Sequence, residues 1–242
     1  MTTWLEGKIV ENRHWTEALF SLRVEGAGLL FEAGQFVRIA LDIDGDRVAR
    51  PFSMVNSPDD PMLEFYGIVV PEGPLSPRLA RLQAGDTLYV ASNPAGFLVL
   101  SELPDAAALW LLSTGTGIAP FISMLRSGTP WRRFRDVVLV HAVRHARELV
   151  YRDEIDTMPN LRYVPVVSRE DAPGSLRGRI PQLLRDSRLE AAAGLKLAPE
   201  NSQVMLCGNP DMLKDATAVL TERGLRKNRR RTPGHITVES FW

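Results

Sequence analysis

The hydrophobic pattern of the chain changes near residue 101, and this change constrains the fold more than any other feature. Before it, short stretches rich in Val, Ile, Phe and Tyr are separated by turn signals such as Asp44-Gly45-Asp46. After it, nearly continuous apolar stretches alternate with amphipathic ones, which is typical of parallel strands connected by helices. A domain usually has roughly 100 to 200 residues, so 242 residues make up one large domain or two ordinary ones, and the change of pattern favours two. We predict an N-terminal domain at residues 1–100 and a C-terminal domain at residues 101–242.

The first half predicts an antiparallel β-barrel with a single helix. That helix is expected at residues 76–82, with Ser76 as its cap and Pro77 in its first turn. The six predicted strands cover residues 7–11, 18–24, 35–41, 51–55, 63–70 and 87–90.

The second half predicts an α/β domain with a parallel five-stranded sheet covered by helices. Sheets of this kind bind ligands at the carboxyl ends of their strands. The predicted strands cover residues 107–113, 137–143, 161–168, 203–207 and 235–241. The predicted helices cover residues 118–126, 147–157, 180–185 and 211–223.

Composition excludes several classes of protein. Apolar residues make up 45% of the chain, but no stretch approaches the roughly 18 apolar residues of a membrane span. The N-terminal residues lack the pattern of a secretory signal, so a cytoplasmic location is expected. The single cysteine, Cys207, excludes an internal disulfide and a Cys-rich metal cluster, and the four histidines lack metal-ligand spacing. We expect no metal.

The charges cancel over the whole chain but are unevenly distributed. Residues 1–100 carry a net charge of −5 and residues 101–242 a net charge of +5. A neutral whole argues against general nucleic-acid binding, whereas a basic second half can attract phosphates or an acidic partner. The densest basic run, residues 223–231, is compatible with such a partner, and equally with a solvated turn between two elements.

Two motifs in the first half suit a nucleotide that carries a flat ring. In Arg50-Pro51-Phe52-Ser53 the arginine fork can hold a diphosphate, and Phe52, two residues along the strand, offers a ring face on the same side. Tyr66-Gly67-Ile68-Val69 offers backbone amides beside a heterocycle, and Ser76 begins a helix suited to a phosphate. Each motif alone is also compatible with an ordinary strand or turn.

Three motifs in the second half follow predicted strands. Gly115 and Gly117 in Ser113-Thr114-Gly115-Thr116-Gly117 allow close approach by a ligand, although the spacing is not the Gly-x-Gly-x-x-Gly fingerprint. Ser168-Arg169, with Arg177 and Arg179 nearby, would suit a 2′-phosphate, and would otherwise be a surface loop. Cys207-Gly208-Asn209-Pro210 lets a ligand approach a thiol that is otherwise a small buried hydrophobe.

In this order, and with the terminal Val238-Glu239-Ser240-Phe241-Trp242, the five motifs resemble those of the bacterial ferredoxin/flavodoxin–NADP⁺ reductases. The chain is most similar to the enterobacterial-type subclass, which ends in an aromatic–tryptophan pair. The resemblance covers essentially all 242 residues. It implies that the barrel binds FAD and that the α/β domain binds NADP(H) as cosubstrate.

The resemblance also implies roles for individual residues around FAD. Arg50 would hold the diphosphate, Phe52 would stack on the flavin, and Ser53 would lie near flavin N5. Many relatives have Tyr where this chain has Phe52, so a hydroxyl hydrogen bond is lost here while stacking is kept. Phe241 would cover the other flavin face and Trp242 the adenine. The further implied FAD contacts are Pro51, Tyr66, Gly67, Ile68, Val69, Ser76 and Thr116.

On the NADP side, Cys207 and Glu239 would lie near the nicotinamide and complete a catalytic set with Ser53. The adenosine and its 2′-phosphate would be held by Arg144, Ser168, Arg169 and Arg179. The further implied contacts are Thr114, Gly115, Thr116, Gly117, Gly208, Asn209, Asp211 and Met212.

The implied activity is that of an oxidoreductase. NADPH would deliver a hydride to flavin N5, and the reduced flavin would release single electrons to ferredoxin or flavodoxin. These acidic carriers would dock with help from the basic residues 226–231. We expect a monomer with no membrane or nucleic-acid partner.

Two alternatives remain open. One is an NAD(P)H-dependent flavin or cytochrome-type reductase on the same fold; Ser168-Arg169 argues against NADH dependence, and the NADPH/NADH ratio of kcat/KM decides. The other is a basic protein that binds nucleic acid through residues 226–231. A yellow purified protein that does not bind DNA would exclude it.

Overall fold

The computed structural model describes residues 2–240, which form two compact units. The first unit comprises the chain through Val99 together with Ala119–Ser127. The second comprises Leu100–Ile118 together with the chain from Gly128 onward. The first unit thus includes a helix that follows the first strand of the second. The division at residues 100 and 101 stays a prediction.

The first unit is built on a six-stranded antiparallel sheet. Its strands are β1 (Trp4–His14), β2 (Leu19–Glu25), β3 (Phe36–Ile43), β4 (Asp46–Ser53), β5 (Leu63–Ile68) and β6 (Thr87–Ala91). They lie in the order β4-β3-β6-β1-β2-β5, and a bridge between Met54 and Phe65 connects the chain after β4 to β5 at the other edge. The prediction of an antiparallel barrel is confirmed as a curled six-stranded sheet.

The β3–β4 hairpin sets which residues of β4 share a face. Its turn, Asp44-Gly45, has φ angles of 53° and 90°, as the Asp-Gly pair favours. The register that follows pairs Arg38 with Pro51. Because side chains alternate along a strand, Arg50 and Phe52 lie on one face of β4 and Pro51 lies on the other, with Arg38.

Helix α1 (Ser76–Leu79) is shorter than predicted, and the prediction of Ser76 as its cap is wrong. Leu75 occupies the cap position and Ser76 is the first helical residue. The Ser76 hydroxyl oxygen instead accepts a hydrogen bond from the Val70 N–H at 2.9 Å. The amide of Asn12 in β1 donates to carbonyl oxygens at the end of the helix at 2.9–3.3 Å, in place of further helical turns.

Helix α2 (Ala119–Arg126) is attached to the sheet of the first unit. The Ser123 hydroxyl donates to the Asn56 carbonyl at 2.6 Å, and Arg126 forms a 2.6 Å ion pair with Glu64. Both ion-pair partners are largely buried, so the contact anchors the helix.

The second unit contains a parallel sheet, as predicted. Its strands are β7 (Ala108–Thr114), β8 (Asp136–Val143), β9 (Leu161–Val167), β10 (Leu176–Arg177), β11 (Ser202–Gly208) and β12 (Ile236–Ser240), in the order β10-β9-β8-β7-β11-β12. The prediction of five strands is wrong, because β10 adds a sixth at the edge. Two residues are too few to show a hydrophobic period, so the sequence pattern could not indicate this strand.

The helices of the second unit agree with the predictions in part. They are α3 (Thr129–Arg133), α4 (Arg152–Ile155), α5 (Ile180–Arg185), α6 (Arg188–Ala193) and α7 (Pro210–Glu222). The helix predicted over residues 147–157 is wrong: a 3-10 turn at Ala146–Glu148 is separated from α4 by residues 149–151. Tyr151 has a φ of +58°, which interrupts a right-handed helix, and its side chain is buried. The predictions did not include α3 and α6.

Within residues 2–240, no helix is both long and apolar enough to cross a membrane. Over the same residues, no group of three or more His, Cys, Asp or Glu side chains is arranged to hold a metal ion.

Candidate functional site

The carboxyl end of β4 carries the first group of candidate residues. Arg50 is exposed, and its Nη1 donates to the Ala49 carbonyl at 2.8 Å, which leaves guanidinium donors for a ligand. Phe52 is half-buried and packs edge-on to Phe65, with ring centroids 6.5 Å apart. Ser53 is buried, and its hydroxyl has no hydrogen-bond partner within residues 2–240. A buried hydroxyl in this state is suited to a polar atom of a ligand.

Gly67 of β5 lets two aromatic rings approach the strand. A Cβ here would lie 2.9 Å from Cε1 of Phe52 and 3.0 Å from Cζ of Phe20, so a larger residue would displace a ring. Beyond it, the apolar side chains of Ile68 and Val70 are 37% and 43% exposed. A packed ring, exposed aliphatic carbons and the Ser53 hydroxyl together fit a flat heterocycle such as a flavin. The other predicted FAD residues of this segment, Tyr66 and Val69, are buried and half-buried.

In the second unit, the chain after β7 forms the turn Gly115–Ile118, which contacts the end of β11. Gly115 has a φ of +52° and open space where a Cβ would be. A Cβ on Gly117, in contrast, would lie 2.5 Å from the carbonyl oxygen of Cys207. The turn therefore approaches β11 backbone to backbone, which requires glycine at this position. Thr116, predicted to contact both cofactors, is half-buried in this turn.

The chain after β11 is tied to β7 and to α7. The Asn209 N–H donates to Oγ1 of Thr114 at 2.8 Å, and a Cβ on Gly208 would collide with Thr114. The Asn209 side-chain oxygen accepts from the N–H groups of Asp211 and Met212 at 3.0 and 3.1 Å, so it caps α7. Of these predicted contacts, Asp211 is exposed and Met212 is buried. The side-chain NH₂ group of Asn209 is then the donor that remains for a bound nucleotide.

His141 in β8 is a residue that the sequence interpretation missed. It is fully buried, and its Nε2 lies 3.3 Å from the Gly115 carbonyl oxygen. Burial lowers the pKa of His141 to about 4, so the ring is neutral at pH 7 and Nε2 must carry the proton that it donates. The bond ties β8 to the turn after β7. A histidine inside an apolar strand was the available signal, because such a group needs a buried partner.

Cys207 and Glu239 lie side by side in the register of β11 and β12. The Cys207 thiol is fully buried, and burial together with the negative charge of Glu239 raises its pKa well above the usual value. A thiol rather than a thiolate is therefore present at neutral pH, which fits a positioning group and does not fit a nucleophile.

We expect Cys207 in the folded protein to resist alkylation. A raised pKa and full burial lower both the thiolate fraction and its access, so iodoacetamide at pH 8 should label it at least about tenfold more slowly than the unfolded protein. Mass spectrometry of timed samples measures the rate, and Cys207→Ser identifies the labelled site. Equal rates for the folded and unfolded protein would show an accessible, reactive thiol instead.

Three predicted arginines lie at the carboxyl end of the second sheet. Arg144 follows β8 and Arg169 follows β9, its neighbour in the sheet, and the Arg169 N–H donates to the Arg144 carbonyl at 3.0 Å. Ser168 is half-buried, and its hydroxyl donates to the Val143 carbonyl at 3.2 Å. Arg179 directly precedes α5. All three guanidinium groups are exposed, with no ion-pair or hydrogen-bond partner in the described part of the chain, and can bind a phosphate.

Two carboxylates beside these arginines were also missed. Oε2 of Glu148 accepts from the N–H groups of Arg144 and His145 at 2.9 and 3.2 Å. Oε1 of Glu170 accepts from the Ala146 N–H at 2.7 Å, and its Oε2 lies 3.2 Å from Nδ1 of His145. The spacing of three residues between His145 and Glu148 was a usable signal for a capped turn. The Glu170 contacts join two separate loops, and local sequence carries no signal for them.

The predicted aromatic contacts of Phe241 and Trp242 lie outside the described residues 2–240.

The two halves of the chain match two family models. Residues 5–98 match the oxidoreductase FAD-binding domain, and residues 111–218 match the oxidoreductase NAD-binding domain.

Relatives match over the full length of the chain. The flavodoxin/ferredoxin–NADP reductase of Shigella flexneri is 50% identical over 248 residues, covering 100% of both chains, and that of Escherichia coli K12 is 49% identical over the same span. The ferredoxin–NADP reductase of Pseudomonas aeruginosa is 38% identical, covering 96% of this chain and 95% of its own. Among solved structures, a ferredoxin NADP⁺ reductase from Neisseria gonorrhoeae with bound FAD and NADP has a TM-score of 0.96 and 34% identity, with full coverage of both chains.

Proposed function

The chain belongs to the flavodoxin/ferredoxin–NADP reductase family, and from this premise we propose how its residues hold the cofactors and meet the protein partner. It is an oxidoreductase that binds FAD and uses NADP(H). Bound FAD supplies hydride exchange with NADP(H) and single-electron exchange with ferredoxin or flavodoxin. One observation carries this conclusion: half of the residues are identical to those of such a reductase over the full length of both chains.

In this proposal the first unit holds FAD. Arg50 binds the diphosphate through its exposed guanidinium, Phe52 packs against the flavin, and Ser53 donates its hydroxyl to a ring atom such as N5. The Ser76 hydroxyl accepts from a backbone N–H, so its own proton remains for a phosphate oxygen. Pro51 is exposed between Arg50 and Phe52 and is also a proposed FAD contact. The remaining proposed FAD contacts are Tyr66, Gly67, Ile68, Val69, Thr116, Phe241 and Trp242.

The second unit holds NADP(H). The exposed guanidinium groups of Arg144, Arg169 and Arg179, with Ser168, bind the adenosine and its 2′-phosphate. The glycine turn after β7 and the chain after β11 bring backbone close to the coenzyme: Thr114, Gly115, Thr116, Gly117, Gly208, Asn209, Asp211 and Met212. Cys207 and Glu239 lie beside the nicotinamide, and Cys207 remains a neutral thiol there, since hydride transfer needs no proton from it.

The basic residues 226–231 form the proposed contact for an acidic ferredoxin or flavodoxin. Arg226, Lys227, Arg229, Arg230 and Arg231 are all exposed, and Nε of Arg230 also lies 3.4 Å from Oε1 of Glu102. Opposite charge on the carrier speeds encounter more than it tightens binding. A cytoplasmic location and a monomeric state complete the proposal.

An absorption spectrum of the purified protein tests the function. We expect flavin bands that NADPH bleaches anaerobically, and reoxidation by added ferredoxin or flavodoxin. A colourless protein would contradict the assignment, and equal bleaching rates with NADH would favour the NAD(P)H-dependent flavin or cytochrome-type reductase.

We expect Arg50→Ala to loosen FAD. Charge-assisted hydrogen bonds contribute about 1.5–3 kcal/mol, so the Kd for FAD should rise roughly 10- to 100-fold. Fluorescence of released flavin during dilution measures this. Arg38→Ala is the matched control, because Arg38 lies on the next strand but on the opposite face. Equal FAD loss in both variants would argue against a diphosphate contact at Arg50.

A further inference from the structure

Two loops that carry the proposed phosphate-binding arginines are joined by one side chain. The loop after β8 contains Arg144, His145 and Ala146, and the loop after β9 contains Arg169 and Glu170. The Glu170 carboxylate reaches across to accept from the Ala146 N–H at 2.7 Å, and it contacts the His145 ring at 3.2 Å.

These contacts favour the ionised carboxylate. The Ala146 N–H and the His145 ring hold the pKa of Glu170 below its ordinary value. A second link, from the Arg169 N–H to the Arg144 carbonyl at 3.0 Å, lies beside the first. The backbone on each side of the two arginines is therefore fixed, while their guanidinium groups remain exposed.

We propose that Glu170 is a positioning residue for coenzyme selection: it fixes the loop of Arg144 against the loop of Arg169, so that both guanidinium groups converge on one phosphate. The inference rests on the proposed function, which places the 2′-phosphate between these arginines. The side chains of Arg144 and Arg169 are flexible. If their backbone is already fixed before the 2′-phosphate binds, less conformational entropy is lost on binding. In this role the carboxylate acts through its contacts with His145 and Ala146 rather than on the coenzyme itself.

A carboxylate near a phosphate site also has an opposing effect, because like charges repel. Positioning and repulsion therefore predict opposite results when Glu170 is changed. Glu170→Gln keeps the acceptor for the Ala146 N–H and removes the charge. Glu170→Ala removes both the hydrogen bonds and the charge.

The experiment measures the Kd of 2′-AMP and of 5′-AMP with the FAD-loaded full chain. We expect Glu170→Ala to weaken 2′-AMP about five- to tenfold, the lower range of coupling effects, with 5′-AMP unchanged. Glu170→Gln should stay within about threefold of the parent protein for both nucleotides. The thermal midpoint and flavin spectrum should not change, since Glu170 lies at the surface.

A second variant cuts the same link from the other side. Ala146→Pro removes the N–H that Glu170 binds, and proline is tolerated there because Ala146 is the first residue of a 3-10 turn and His145 is extended, with a φ of −126°. We expect it to weaken 2′-AMP as Glu170→Ala does.

Tighter 2′-AMP binding in Glu170→Gln and Glu170→Ala would overturn the proposal in favour of repulsion, and so would equal losses for 2′-AMP and 5′-AMP. Arg169→Ala tests the proposed phosphate site separately from the role proposed for Glu170. If Arg169→Ala leaves 2′-AMP affinity unchanged, the proposed phosphate site is wrong. If it weakens 2′-AMP while Glu170→Ala does not, the site stands and the role of Glu170 is rejected.

Discussion

Replacing Arg169 with alanine is expected to weaken NADPH binding by about 2 kcal/mol, roughly thirtyfold, and to leave NADH binding nearly unchanged. The Arg169 guanidinium is exposed and has no ion-pair or hydrogen-bond partner within residues 2–240, so truncation would remove the proposed phosphate contact and no such contact within those residues. NADH lacks the 2′-phosphate and therefore does not depend on this cation. The expected loss is at the lower end of the roughly 2–5 kcal/mol of a desolvated charge pair, because the Arg169 side chain is open to water and because Arg144 and Arg179 are proposed to contact the same phosphate.

Two variants make this result specific. Arg177→Ala removes a nearby arginine that is already paired with Asp171 at 2.7 Å, and it should change neither nucleotide. Arg169→Lys keeps the positive charge but loses the planar fork, so its affinity for NADPH should lie between those of the parent protein and Arg169→Ala. Measured Kd values for both nucleotides decide the matter, and an equal loss for NADPH and NADH would remove Arg169 from the 2′-phosphate site.

Local sequence signals predicted the parts of the fold that local chemistry controls. The Asp44-Gly45 turn has the positive φ angles that this pair favours, and it places Arg50 and Phe52 on one face. The apolar runs of β7, β8, β9 and β11 indicated a buried parallel sheet correctly. Local sequence signals did not predict the conformation of Tyr151. Its positive φ interrupts the predicted helix, and no sequence pattern identifies a tyrosine that adopts this conformation.

Some residues of the candidate site could likewise be predicted from local sequence, and others could not. Glycines and arginines that follow strands could be selected by type and position, as Gly117 and Arg169 were. Glu170 could not be selected, because its partner Ala146 is 24 residues away and only the assembled sheet brings the two close. His141 was marked by its position in an apolar strand, but its partner Gly115, 26 residues away, was not. Hydrogen bonds between loops leave no period or spacing in the sequence. The resemblance to a known family implied which residues would contact a cofactor, and it gave no indication of residues such as Glu170 that join two loops.

Gly117→Ala is expected to produce the largest loss of stability among these variants. Its Cβ would lie 2.5 Å from the carbonyl oxygen of Cys207 and 2.8 Å from Cα of Gly208, and both are backbone atoms. The end of β11 cannot yield easily, since Cys207 is paired with β7 on one side and β12 on the other. Overpacking of this kind costs about 1–3 kcal/mol or more, and about 3 kcal/mol would lower Tm by roughly 6–12 °C.

Gly115→Ala separates this steric effect from the general cost of losing a glycine. Gly115 has a φ of +52°, but within residues 2–240 no atom beyond its own two chain neighbours lies within 4 Å of the position that an alanine methyl group would take. Alanine there therefore meets backbone strain of about 1–2 kcal/mol and no collision with those residues. NADP⁺ affinity should fall further in Gly117→Ala than in Gly115→Ala, because only the first forces the turn away from β11. FAD content should differ less between the two variants than NADP⁺ affinity does, since most of the proposed FAD contacts lie in β4 and β5 of the first unit and only Thr116 lies in this turn. Calorimetry and nucleotide titration measure these differences. If the two alanines cost the same, the close approach of Gly117 to Cys207 does not control the shape of this turn.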